Sequence, residues 1–167
     1  MCSLFAAFLV AYLLLRKNAA TWPPPGAPLP PKGLWISTLV LLASSATILF
    51  AGRAKDPRAM RRGLALTLAL GSLFLVVQGI LWREVFASGR FTFSDAYGTI
   101  FYSLTGLHGA HVIGGLVFLT RTLLRARSDP SGPSGPRTRL ALALCSTYWH
   151  FMDGIWLVLF AVLEFLN

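Results

Sequence analysis

Four residues stand out as able to do chemistry in unusual surroundings: His108, His111, His150 and Asp153 all lie inside long apolar runs. Imidazoles and carboxylates can ligate a metal, carry a proton or hydrogen-bond a neighbour. An Asp at the centre of a bilayer costs roughly 2.5–3.5 kcal/mol on insertion scales, so it needs a partner or a task. His108 and His111 are three residues apart, as are His150 and Asp153. Three residues turn a helix by about 300°, which puts each pair on one face. Three readings follow: a metal site, a proton-related role, or an interhelical hydrogen-bond cluster that keeps Asp153 away from lipid. A redox site usually needs further ligands, and no other His or acid lies at this depth. The spacing therefore favours the structural cluster. Gly106, Ala110 and Gly114 recur every four residues beside it, a small-residue stripe suited to close helix approach.

The elements that must carry these side chains read as membrane helices. Hydrophobic residues form 55% of the 167-residue chain and charged residues 13%, about half the charged share of a soluble domain. Five apolar blocks appear, at Met1–Leu15, Leu34–Ala51, Gly63–Trp82, Ala96–Thr120 and Leu140–Phe165. The expected fold is all-α: one polytopic domain over residues 1–167 with five transmembrane helices. About 20 apolar residues cross the hydrocarbon core. The first block, at about 22 Å of helix, falls short. A cleaved signal peptide fits it poorly, because no basic residue precedes the apolar run while Arg16 and Lys17 follow it.

The net charge of +9 does not indicate nucleic acid, since the basic residues sit in connectors without interleaved aromatics. Connectors two and four hold ten Lys and Arg between them, against five in connectors one and three. Positive short loops stay cytoplasmic, so the N-terminus is expected inside and the C-terminus outside. The proline run from Pro23 to Pro31 excludes helix, and residues 121–139 read as an inside linker. Trp22, Trp35, Trp82, Arg83 and Trp149 are candidate interface or lipid contacts. Asp95 is a candidate helix N-cap. Cys2 and Cys145 form no CxxC and read as small hydrophobes.

Two stretches carry a resemblance. One runs from Asp95-Ala96-Tyr97-Gly98 through Thr105-Gly106-Leu107-His108-Gly109-Ala110-His111 to Gly115, and the other is Tyr148-Trp149-His150-Phe151-Met152-Asp153-Gly154-Ile155-Trp156. Together they resemble the signature of haem-copper oxidase subunit III. Trp22-Pro23-Pro24, Gln78 and Trp82 extend the likeness upstream, so that it covers the last five helices of the family's seven-helix form. The resemblance implies a multi-pass subunit in a bacterial plasma membrane with no catalytic, cofactor or metal residues of its own. Haem and copper are then expected in partner subunits I and II, with phospholipid bound between subunit III and subunit I. It implies a part in aerobic respiratory electron transport: stabilising subunit I and supporting proton uptake in a cytochrome c oxidase or a quinol oxidase. Two departures count against a carboxylate proton antenna: Leu81 stands where the family usually has glutamate, and the first block holds no acid. A nitric oxide reductase-associated protein of the same fold and an independent metal-binding membrane enzyme are the rival readings.

Overall fold

The computed structural model describes residues 2–19, 33–87, 96–128 and 135–165. They form five helices: α1 (Cys2–Asn18), α2 (Gly33–Arg53), α3 (Pro57–Ala87), α4 (Ala96–Ser128) and α5 (Pro136–Phe165). Trp22, the proline run and Asp95 lie outside the described residues.

Local chemistry sets the joints. α2 passes to α3 through residues 54–56, where Asp56 Oδ2 accepts from the Ala59 amide at 3.0 Å. Asp56 is thus the N-cap, and Pro57 follows at the first helical position, where its missing N–H costs nothing. Pro136 opens α5 in the same way, with the Arg139 amide donating to the Gly135 carbonyl at 3.0 Å.

The expected inside linker at 121–139 is corrected by these ends. α4 continues through Ser128 and α5 starts at Pro136, which makes most of that interval helical. The reason is that Leu123 and Ala126, spaced between the arginines, still bury against the bundle. Charge marks where a helix leaves the hydrocarbon, not where it stops.

α2, α3, α4 and α5 close a ring in which each packs on the next and α5 returns to α2; α1 lies outside, on α4. Neighbours in the ring are antiparallel. Along α2 and α3, Ala51 meets Gly63, Thr47 meets Thr67 and Gly33 meets Leu81. Along α4 and α5, Gly115 faces Trp149 while His108 faces Trp156. This topology brings Arg53, Lys55, Arg58, Arg61 and Arg62 to the same end of the bundle as Arg121, Arg125, Arg127, Arg137 and Arg139. Four helices, α2 to α5, are long and apolar enough to cross a membrane; the 17-residue α1 is not among them.

Candidate functional site

The polar interior is built from two helices that present hydroxyls and indoles to each other. On α2, Leu34, Ser37, Thr38, Leu41, Ser44 and Ile48 are buried, a three-and-four spacing that lines one face. Its hydroxyls first donate within their own helix: Thr38 Oγ1 to the Leu34 carbonyl at 2.8 Å and Ser44 Oγ to the Leu41 carbonyl at 2.7 Å. That leaves each oxygen free to accept. α5 supplies the donors, Trp156 Nε1 to Thr38 Oγ1 at 3.0 Å and Trp149 Nε1 to Ser44 Oγ at 3.0 Å. Trp149 and Trp156 are seven residues, or about two turns, apart, so both enter the bundle from one face.

These two indoles reach every wall of the ring. Trp156 meets Phe74 of α3 edge-on at 5.0 Å between ring centroids and lies against His108 of α4 at 5.0 Å. Trp149 fills space cleared by glycines. A Cβ added to Gly71 would stand 2.7 Å from Trp149 Cη2, and one added to Gly115 would stand 3.0 Å from its Cζ3. Trp149 is 2% exposed, so its expected place as a lipid contact is corrected: it is core, because Gly71, Gly115 and Ser44 leave it both room and an acceptor.

The four ionisable residues do not converge. His108 is buried with both ring nitrogens unpaired among the described residues, edge-on to Phe74 and tilted against Trp156. His111 Nδ1 pairs with the carbonyl of Leu107, one turn back on its own helix, at 2.7 Å, and its ring faces Phe5 of α1 at 5.4 Å. Tyr148 donates to the His111 carbonyl at 2.9 Å, tying α5 to α4. His150 Nδ1 pairs with Ser45 Oγ of α2 at 2.7 Å. Asp153 is buried, with Ser45 as its polar neighbour, yet neither carboxylate oxygen has a hydrogen bond of ordinary geometry among the described residues. The expected hydrogen-bond cluster of all four is therefore corrected. His150 and Asp153 turn towards α2, while His108 and His111 point to α3 and α1, because α4 packs between those two helices. Among the described residues, no three His, Cys, Asp or Glu side chains come together as a metal site would require.

The small-residue stripe is also redistributed. Gly106 lies under Trp82, Ala110 is exposed and Gly114 only grazes the Tyr148 hydroxyl. The close approach of α4 to α5 occurs at Gly115 instead. Of the interface candidates, Trp35 is exposed and donates to Glu164 Oε1 at 3.1 Å. Trp82 and Arg83 line a groove of about 730 Å³ between α3 and α4. Gln78 is buried with its amide unpaired among the described residues.

Sequence reasoning missed Ser44, Ser45 and Thr38, whose signal was hydroxyls repeating at helical spacing opposite tryptophans seven apart.

A ring of antiparallel, membrane-length helices pinned by buried indoles defines a multi-pass membrane protein. The chain belongs to the cytochrome c oxidase subunit III family, whose model matches residues 1–166. Among curated relatives, "Probable cytochrome c oxidase subunit 3" of Nocardia farcinica is 36% identical, covering 98% of this chain and 81% of the relative. The protein of the same name in Mycobacterium bovis is 35% identical with the same coverage. "Cytochrome c oxidase subunit 3" of Thermostichus vulcanus is 33% identical, again over 98% and 81%. The chain is accordingly a multi-pass membrane protein of an oxidoreductase complex.

Proposed function

We propose that this chain is the accessory, non-redox subunit of a haem-copper terminal oxidase, and that it stabilises the catalytic subunit I rather than carrying electrons. The observation that supports this most directly is the packed centre of the bundle. Trp149, Trp156 and Phe74 fill it, and the histidines are held singly by a serine, a carbonyl and two aromatic rings. Oxygen reduction then takes place on haem and copper in subunits I and II. The relatives' names favour cytochrome c over quinol as the electron donor of the complex, and over a nitric oxide reductase association.

In this reading the chain crosses a bacterial plasma membrane five times, with the N-terminus inside. The gathering of ten basic side chains at one end of the ring supports that orientation. α1 would complete its crossing against a partner subunit. Phospholipid would sit at the outer end in the groove of Trp82 and Arg83. Support of proton uptake would come from holding subunit I in shape, since Leu81 is packed against Gly33 where an acid would be needed.

Deleting the chain's gene and assaying the remaining oxidase tests the proposal. The expected outcome is near-normal oxygen reduction per haem in the first turnovers, followed by faster inactivation. Complete loss of the initial rate in an otherwise intact, haem-loaded core would overturn it.

A further inference from the structure

Two half-buried histidines stand on different walls of the bundle, and the fold treats them differently. His111 and His150 both lie about midway along their helices, α4 and α5. His111 looks outward from the ring and is covered by an outer helix. Phe5 of α1 stands 5.4 Å from its ring, and its Nδ1 pairs with the Leu107 carbonyl. His150 looks outward at the α2–α5 seam. Its Nδ1 pairs with Ser45 at 2.7 Å, while Nε2 is neither paired nor enclosed among the described residues. α1 packs on α4, so this second seam has no outer helix among the described residues.

His150 closes the deep end of a groove of about 370 Å³ between α2 and α5. Arg139, Ala143, Ser146 and Thr147 continue it along α5, and Gly52 lines it from α2. The α5 positions follow at intervals of four, three, one and three residues, which is one face of a helix. Thr147 is exposed, and its hydroxyl donates back to the Ala143 carbonyl at 3.0 Å; its oxygen is left able to accept. A Cβ at Gly52 would meet nothing within 4 Å.

Depth and shape decide what covers this groove. A histidine at the middle of a bilayer faces protein or a water-filled cavity. Acyl chains offer it neither donor nor acceptor, and headgroups lie about 15 Å away, beyond half the hydrocarbon core. From Arg139 to His150 is eleven residues, a straight run of about 16 Å or three helical turns. Small residues along such a run let a second backbone approach closely. A rod with a polar group at mid-depth fits, as α1 fits over His111. Hydroxyls and carboxamides both donate and accept, so they meet either tautomer of the imidazole.

We propose that the α2–α5 seam is a docking face for one membrane-spanning helix of a partner subunit. That helix packs small residues on Ala143, Ser146 and Gly52 and sets a hydroxyl or carboxamide against His150 Nε2. The inference rests on the chain being a subunit of an oxidase complex and names the face through which it is held.

The test uses the complex isolated through a tag on the full chain. With p-benzoylphenylalanine in place of Ala143, irradiation should join the chain to a partner subunit's membrane helix, identified by peptide mass. Ala143→Trp fills the groove and should cut the haem recovered per tagged chain about tenfold, as overpacking of a close helix contact predicts. Leu66→Trp, on the exposed face of α3, should leave that recovery unchanged. Both variants should unfold at the wild-type temperature in detergent, because both positions are exposed. Crosslinks to lipid alone, to a second copy of this chain or to nothing would overturn the docking face. Equal haem recovery in the two variants would overturn it too, as would an Ala143→Trp chain that loses haem only because it unfolds early. A wild-type chain that brings down haem while Ala143→Trp does so equally sinks this face and leaves the subunit reading standing. A wild-type chain that brings down no haem sinks both.

Discussion

At the scale of single residues, the interior is held by indole-to-hydroxyl bonds, with the His150–Ser45 pair beside them. Thr38 and Ser44 each donate backwards to their own helix and accept from α5, so no hydrogen of either group is wasted. Interhelical bonds of this kind average about 0.6 kcal/mol in membrane proteins and reach about 1.7 kcal/mol. Trp156→Phe removes the bond to Thr38 and some ring volume next to Phe74 and His108. It should lower stability in detergent by about 1–3 kcal/mol, read as an earlier thermal unfolding transition. Thr38→Ser keeps the accepting oxygen and should cost less. Equal losses in the two variants would show that the bond contributes nothing. The ionisable residues were legible in the sequence as lying within apolar helices, of which His108 and Asp153 are buried and His111 and His150 half-buried. Their partners were not legible. Which way His108 and His150 point depends on how the helices are ordered around the ring, and spacing along one helix carries no information about that.

At the scale of helices, the positions of the apolar blocks were readable from hydropathy, and the ends were not. α3, α4 and α5 run 31, 33 and 30 residues, about 45–50 Å, well beyond a hydrocarbon core of about 30 Å. Hydropathy reports the core alone, so the arginine-bearing turns of α4 looked like linker. Close packing was legible only in kind. Glycine was expected to let helices approach along the stripe Gly106, Ala110 and Gly114, but only Gly106 is tightly covered, by Trp82; Gly63 lies against the Ala51 backbone, and Gly71 and Gly115 make room for Trp149 of α5. Two glycines of α3 should separate these roles. Gly71→Ala places a methyl against Trp149 and Leu116 and should destabilise by about 1–3 kcal/mol. Gly79→Ala meets nothing within 4 Å and should be neutral or stabilising by up to about 1 kcal/mol through helix propensity. Thermal unfolding of both variants in one detergent checks the opposite signs.

At the scale of the whole molecule, the antiparallel ring sorts charge by end, and that sorting links the fold to the membrane. Single cysteines at Arg58 and Arg127, in a background with Cys2 and Cys145 replaced by serine and alanine, should react with a membrane-impermeant maleimide only from the cytoplasmic side. Labelling from the outside would reverse the orientation. Family membership was legible from two stretches, Asp95–Gly115 and Tyr148–Trp156, because polar residues at fixed places in apolar helices are rare. The structure gives those places a physical sense: Gly115, His108, His111, Tyr148, Trp149 and Trp156 are among the contacts through which α4 and α5 join.

The most direct measurement is to isolate the oxidase through an affinity tag on this chain, then strip the chain from the core and assay both fractions for haem and metal. A tagged preparation that carries the haem and copper of its partners, and a separated chain that is colourless and metal-free, is the expected result. A separated chain that retains stoichiometric haem or metal would contradict the assignment of this protein as a scaffold without a redox centre.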